Sequence, residues 1–478
     1  MEIQVTHYEY ERENVQTGIV HIGIGNFHRA HEEFYINKLL ADPTQQQWGI
    51  CGVALLPSDE TIVKKLKNQD GEYSLTICGR NGIDEVIKIG SLVELIWGVE
   101  NPNAISDKIA DVATKIVTLT ITEGGYNIDK ASGEFILEDK NVQHDLANPS
   151  QPKTVFGFVA EGLRKRKANG NGGITILSCD NLQHNGNVTK KAFTTFIEAQ
   201  DKDLAAWVKT NVTFPNSMVD RITPATTPAD VESLNKKSGL NDQAPVYCED
   251  FIQWVIEDNF AAGRPALEKV GVEFTQDVTK YENMKLSLLN ASHTLLSYPS
   301  LLFGYRKVDD AIHDPIFKKL LKDFMDIDIT PYVPAPEKTD LELYKTTLIE
   351  RFVNKAVSDQ ISRLCSDGIS KFPVYVVPNL TKMLKDDKDL TRVTFLIASY
   401  RHYLKYKVDD KGISYEINEP WLTPDDQKLI DSDNVLDFLE LSAFQNVKLK
   451  SYERFVSQYS AFAENIKTNG IAKTLETI

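Results

Sequence analysis

Glu282, Lys285, Asn290 and His293 stand in a leucine-rich stretch, ENMKLSLLNASH, that otherwise reads as a buried helix. At about 100° per residue these four share an arc roughly 140° wide. Leu286 and Leu289 lie in the same arc, and Met284, Leu288 and Leu295 take the far side. Polar groups in a helix that is apolar nearly all round are costly unless paired or used. Burial disfavours the charged form of a lysine, which would let Lys285 act as a general base near neutral pH. Asn290 and His293 could then hold an alcohol, or the alkoxide it becomes, by hydrogen bonds. A snorkelling lysine and a satisfied core histidine would leave the same sequence.

A second group lies in HIGIGNFHRAH (21–31), where Gly23 and Gly25 end a strand-like run and precede a helical pattern. In a dinucleotide fold the first glycine makes the tight turn and the second lets a pyrophosphate approach the backbone at a helix N-terminus. His28 occupies the third glycine position, so the pattern is incomplete. Asp59, in LLPSDE, is placed to accept hydrogen bonds from an adenosine ribose, which would favour NAD over NADP. Asp59 or Ser58 could equally cap the helix that follows. His28, His31 and Glu32 are close enough in sequence for a metal site to be conceivable, but no further ligands cluster with them. SCDNLQHNG (178–186) sets Asp180 and Asn181 beyond a strand, where ligands of open α/β sheets bind and where turns also favour Asp and Asn. VDRITP (219–224) places Asp220 and Arg221 similarly, with an ion pair between them as the plain explanation.

The elements that must carry these residues change character along the chain. In the first half, strand-like runs at 17–25, 48–56, 73–78, 87–89, 115–122 and 174–178 alternate with helical patterns such as 29–40 and 59–68. That alternation implies parallel β-α-β units. From about residue 281 long helical patterns take over: 281–303, 311–326, 340–364, 391–406, 425–441 and 450–466. The proline-rich ITPYVPAPEK (329–338) reads as an extended link. The expected architecture is α/β: a Rossmann-type dinucleotide-binding domain over 1–280 and a mainly α-helical substrate and catalytic domain over 281–478.

A formal charge of −15 argues against a nucleic-acid or anionic-membrane surface. The one basic run, Arg164 to Lys167, reads as a solvated helix face. Cys51, Cys78, Cys179, Cys248 and Cys365 have no paired spacing and read as reduced, packed thiols of a cytoplasmic protein. The opening MEIQVTHYEYEREN is charged and is not read as a signal peptide, and no run is apolar enough to span a bilayer.

Taken together, GIGNFHRAH (23–31), TEGGY (122–126), SCDNLQHNG, VTFPNSMVDRITP (212–224), KLSLLNASH (285–293) and RLCSDGISKFP (363–373) resemble the polyol-specific long-chain dehydrogenases/reductases, and within them the mannitol-oxidising branch. The match runs from about residue 17 to 375. The resemblance implies a metal-independent, monomeric enzyme that oxidises a polyol at C2 to a ketose with NAD, NADP being the less expected cofactor. Lys285 would be the general base, Asn181 and Asn290 would stabilise the oxyanion, and Glu282 would gate proton exit. His293, Asp220, Arg363 and Lys371 would bind substrate hydroxyls. Gly23, Gly25, Asn26, Phe27, Arg29, Asp59 and Glu123 would meet the cofactor, Asn26 standing where many relatives are expected to have a smaller residue. Hexuronate (fructuronate or tagaturonate) reductases share the lysine motif and are the alternative enzyme class, with D-arabinitol dehydrogenase a further one. A dinucleotide-binding protein without turnover is a third reading.

Overall fold

Strand-forming runs rich in Ile and Val assemble a six-stranded, all-parallel sheet: β1 Thr17–Ile22, β2 Gly49–Ala54, β3 Leu92–Trp97, β4 Ile116–Leu119, β5 Ile174–Ser178 and β6 Val212–Thr213. The computed structural model describes residues 4–129, 132–337, 339–357, 359–386 and 388–478. The strand order is β3-β2-β1-β4-β5-β6, the order of a doubly wound dinucleotide fold. Every residue of β1, β2 and β5 is buried, as a parallel sheet covered on both faces requires. Along β1, Ile19 enters one core with Tyr35, Leu39 and Trp254, while Val20 and Ile22 enter the other with Phe156, Leu163 and Phe193. His21 therefore points to the same side as Ile19.

β3 was not among the strands expected from sequence. Its central residues, Val93 to Ile96, are only partly covered, so SLVELIW lacks the continuous apolar run that marks a buried strand. Two smaller sheets complete this part of the chain. One orders Val5–Thr6, Glu85–Ile89, Tyr73–Cys78 and Val246–Glu249; the other orders Ser217–Asp220, Gln253–Glu257 and Glu273–Thr275.

The chain divides into two compact units, Met1–Thr279 and Lys280–Ile478. The second is helical. Its central helix, Ala291–Phe303, continues from a π-helical turn, Lys285–Asn290, and the short helix Thr279–Met284. Helix 340–364 is broken: Leu341–Val353 stops where Asn354 turns extended, and a new helix covers Ile361–Cys365. The 311–326 segment divides at Asp314, whose side chain caps Pro315–Asp323 through Ile316 N at 2.9 Å. Pro315 fits that first turn and could not continue the helix before it. The link at 329–338 begins with a tight 3-10 turn, Thr330–Tyr332, and Lys338 lies outside the described residues. Thr391–Tyr406 packs along the terminal helix, Glu453–Leu475. Among the described residues no helix is long and apolar enough to cross a membrane, and all five cysteines are buried and outside any disulfide.

The basic run is half-exposed except at Arg166. Lys165 pairs with Asp107 at 2.7 Å, and Lys167 with Asp203. Arg166 is fully buried, its guanidinium donating to the carbonyls of Ile109, Asp111, Asn171, Gly172 and Gly173. It ties helix Val155–Asn169 to the end of Pro102–Ala110 and to the loop entering β5. Truncation would leave buried acceptors without donors. Arg166→Ala is expected to lower the unfolding free energy by about 3 kcal/mol in denaturant titration; a loss below about 0.5 kcal/mol would remove this role.

Candidate active site

In this strand order the chain winds outward in both directions from β1, so β1 and β4 flank the switch point where such folds bind ligands. Gly23 follows β1 with φ +108°, and a Cβ there would lie 2.1 Å from the Thr120 carbonyl oxygen. No side chain fits. A Cβ on Gly25 would instead face open space, and Gly25 caps the start of helix Asn26–Ala30. A tight first glycine and an open second one at a helix start fit a dinucleotide pyrophosphate.

Across the switch point, the turn after β4 is held from β5. Asp180 accepts from Ile121 N and Thr122 N, both at 2.9 Å, and from Tyr126 Oη at 2.7 Å. Burial pushes the Asp180 carboxyl up, with those three donors pulling the other way. They hold Thr122 at φ +62° and present Glu123 to solvent in the short helix Thr122–Gly125. Asn181 lies exposed in the bend after β5. That bend is fixed by Asn185, whose amide donates to the Ser178 and Asp180 carbonyls, each at 3.1 Å, and accepts from Ser217 N at 2.8 Å. Tyr126 and Asn185 were not singled out from sequence, because a Tyr after a Gly pair and an Asn before a helix carry no signal of a distant partner.

Other expected cofactor residues are engaged locally. Asp59 is half-buried, and its Oδ2 accepts from Leu56 N at 3.0 Å, closing the turn before helix Glu60–Asn68. Arg29 is buried, donating to the Ala244 carbonyl at 2.6 Å and to Asn26 Oδ1 at 2.7 Å, with its guanidinium over Tyr73. Phe27 stacks on His31 at 5.0 Å. Asp220 is buried at the end of its strand, opposite Gln253. Arg221 donates to the Ala30 and Glu249 carbonyls at 2.6 and 3.1 Å and lies over Phe34.

The histidines of the glycine motif are not spaced as the sequence suggested for a metal. His31 turns away, its Nε2 3.0 Å from the Gln253 carbonyl, and burial lowers its pKa to about 3. His28 stacks face to face on His21, ring centroids 3.3 Å apart and 6° from parallel. Its Nδ1 lies 3.1 Å from Glu32 Oε2 and its Nε2 3.0 Å from Glu33 Oε1. Burial opposes charge on His28, but the two carboxylates outweigh it and raise its pKa to about 9. Burial and the neighbouring His28 lower that of His21. Burial pushes the Glu32 carboxyl up, and bonds to His21 and His28 overcome this and hold it far below the usual range. His21, His28 and Glu32 bring three donor atoms within 4.8 Å. Parallel stacked rings, however, direct their in-plane lone pairs side by side rather than onto one ion.

In the helical unit, Lys285 is 7 % exposed and begins the π turn; Asn290 ends it. The i→i+5 bond from Ala291 N to the Leu286 carbonyl marks the turn. An i→i+5 repeat rotates less per residue than an α-helix, so residues five apart come closer to one line than a uniform α-helical wheel allows. Two side chains read from a 140° arc are thereby drawn together. The amide oxygen of Asn290 is buried and meets no donor among the described residues. Glu282 is buried one turn earlier. His293 stacks on Phe352 at 4.3 Å. Helix Gly368–Tyr375, carrying Lys371, packs against the π turn, and Ile361–Cys365, carrying Arg363, packs against Ala291–Phe303. Lys371 donates to the Leu364 carbonyl at 3.2 Å; burial lowers its pKa, Asp367 raises it and Arg363 lowers it further. Exposed Arg363 pairs with Asp359.

A doubly wound sheet with this glycine turn, followed by a helical unit with a buried lysine–asparagine turn, is the build of a Rossmann-type oxidoreductase. The mannitol dehydrogenase Rossmann domain matches residues 17–269 and the mannitol dehydrogenase C-terminal domain matches 277–467. Polyol:NADP oxidoreductase of Gluconobacter oxydans is 42 % identical over 97 % of this chain and 95 % of its own length. Mannitol 2-dehydrogenase of Aspergillus fumigatus is 37 % identical over 96 % and 93 %. Among solved structures, a substrate-free D-sorbitol dehydrogenase superposes with TM-score 0.92 at 41 % identity, covering 98 % of this chain and 97 % of that one. The ternary complex of Pseudomonas fluorescens mannitol 2-dehydrogenase with NAD and D-mannitol gives 0.87 at 41 %, covering 99 % and 96 %. The chain belongs to the mannitol dehydrogenase family.

The His28 ion pairs set a pH dependence. A folded pKa of about 9 against 6.5 stabilises the fold fully below about pH 6.5, and this is lost as pH rises through about 9. Glu32, held down, contributes above its ordinary 4.5 and loses that contribution as pH falls. Urea titrations at about pH 6 and pH 10 should show a decline of about 3 kcal/mol attributable to His28. His28→Asn should flatten that decline; an equal decline in the variant would locate the titrating group elsewhere.

Proposed function

We propose that this chain oxidises a polyol at C2 to a ketose with NAD, and runs the reverse reduction, without a catalytic metal. D-mannitol and D-fructose are the pair we assign. The observation that carries this reading is the π turn, where a buried lysine and an amide oxygen that meets no donor among the described residues are drawn to one side of a helix. Residues 1–280 would hold the cofactor and 281–478 would supply the base.

Lys285 Nζ, as the free amine, takes the proton from the C2 hydroxyl. Bound NAD supplies the hydride acceptor. The side-chain amides of Asn181 and Asn290 donate to the oxygen as it gains charge, a preorganised stabilisation that needs no rearrangement during the reaction. Glu282, one helical turn before Lys285, passes the proton outward. In reduction the Lys285 ammonium returns a proton to the carbonyl oxygen. His293 contacts the hydroxyl beside the reacting carbon, and Asp220, Arg363 and Lys371 hold the rest of the chain, Asp359 steadying Arg363. Gly23, Gly25, Asn26, Phe27 and Glu123 would receive the cofactor, with Arg29 holding the Asn26 side chain through its Oδ1. Asp59 would accept from the adenosine ribose. A lysine base does the work that a metal-bound hydroxide would otherwise do. We assign the enzyme to the cytoplasm as a monomer. The relative named for NADP favours a second reading in which both cofactors are used.

Two substitutions test the assignment. Lys285→Ala should lower mannitol turnover about 10²–10⁴-fold while NADH binding, followed by fluorescence, is retained. Near-normal turnover would remove Lys285 from the base role. Asp59 both caps Leu56 and carries charge, so Asp59→Asn, which preserves an acceptor for the cap, isolates the charge. It should narrow the NAD-over-NADP ratio of kcat/KM about tenfold; an unchanged ratio would leave Asp59 with capping alone.

A further inference from the structure

The carbonyl of Gly23 accepts from Thr120 Oγ1 at 2.6 Å and lies 2.9 Å from His21 Nε2. Nε2 also lies 2.8 Å from Thr120 Oγ1, so the ring, the hydroxyl and the carbonyl meet at one point. The other ring nitrogen, Nδ1, faces Glu32 Oε2 at 2.9 Å and Thr118 Oγ1 at 2.8 Å. Thr118 Oγ1 also donates to Glu32 Oε2 at 3.0 Å. Glu32 continues to His28, His28 to Glu33, and Glu33 Oε2 accepts from Tyr73 Oη at 2.9 Å. Tyr73 Oη in turn donates to the Arg29 carbonyl at 2.5 Å. His21, His28, Glu32, Glu33 and Tyr73 are at most 1 % exposed. None of them reaches solvent, and none is assigned a part in the chemistry above.

We propose that His28 is a positioning residue for the cofactor: its ion pairs with Glu32 and Glu33 set the ring of His21, and His21 with Thr120 fixes the Gly23 carbonyl and so the turn that receives the dinucleotide phosphates. The proposal rests on the cofactor assignment made above. Three features support it. The stacking of His28 on His21 at 3.3 Å leaves the His21 ring no room to tilt. The Gly25 amide donates to the same Gly23 carbonyl at 2.9 Å, so a rotation at Gly23 would move the open glycine as well. His28 lies on the short helix Asn26–Ala30 that starts at that glycine, and Glu32 and Glu33 open the next helix, Glu32–Leu39, so the motif braces its own turn.

A bracing role predicts weaker cofactor binding with chemistry preserved. Dinucleotide affinity is measured by NADH fluorescence, independently of turnover. His28→Asn should raise the Kd for NADH and the KM for NAD at least tenfold, with kcat at saturating NAD within about threefold of wild type and KM for polyol unchanged. Thr120→Val, which keeps shape and removes one donor to the Gly23 carbonyl, should raise both cofactor constants about three- to tenfold, and it serves if His28→Asn does not fold. Both variants folded with wild-type cofactor constants, or a fall in kcat without a change in them, would overturn the proposal. Wild-type protein that binds no NADH would instead overturn the cofactor reading beneath it.

Discussion

Close contact between the backbone at Gly23 and the backbone at Thr120 is the constraint on which the nucleotide end of this protein depends. With 2.1 Å between a would-be Cβ and the Thr120 carbonyl oxygen, the first and fourth strands can end side by side only if residue 23 has no side chain. That abutment brings the two turns leaving β1 and β4 together at the switch point. Asp180 then sets the second turn from the neighbouring strand, and the buried histidines set the first from below. A Cβ would meet open space at Gly25 in the first turn and at Gly124 in the second.

Charge in this protein is placed inside with partners close at hand. Arg166 meets five carbonyls, and Arg392 meets Asp328 through two bonds of 2.6 and 2.7 Å. His28 meets two carboxylates. Such groups contribute little net free energy when complete and cost a great deal when one partner is lost. They fix geometry more than they add stability. At the glycine motif this matters because the backbone, not a side chain, is the part that must be held in place for a phosphate.

Much of the architecture was legible in the sequence because it follows from local pattern. The runs TGIVHIGIG and WGICGVALL announce buried strands, and helix Thr391–Tyr406 lies where its periodicity put it. What escaped has physical causes. Leu92–Trp97 is only partly covered, so its pattern is diluted. Helix 340–364 looked continuous because nothing in FVNKAV is a strong breaker. Arg166 sat in a run of four cations, and sequence cannot say which one turns inward. At the site, Lys285, Asn290 and the glycines stood out by type and spacing, whereas Tyr126 and Asn185 act through residues far away in the chain. His28 and His31 were grouped by spacing, yet strand β1 supplied the true neighbour, His21.

The π turn at 285–290 carries a consequence for the helix as a whole. Its wider ring holds one residue more than an α-helical turn, so the segments before and after it are out of phase. Glu282 upstream and His293 downstream obey different wheels, and the apolar stripe changes line at the turn itself. The broad 140° arc is thus a blur of two narrower faces. A phase slip of this kind behaves as a one-residue insertion absorbed in place, and it can be read in any chain as a break in hydrophobic rhythm without a proline or glycine to explain it. In this protein that break in rhythm falls on the lysine.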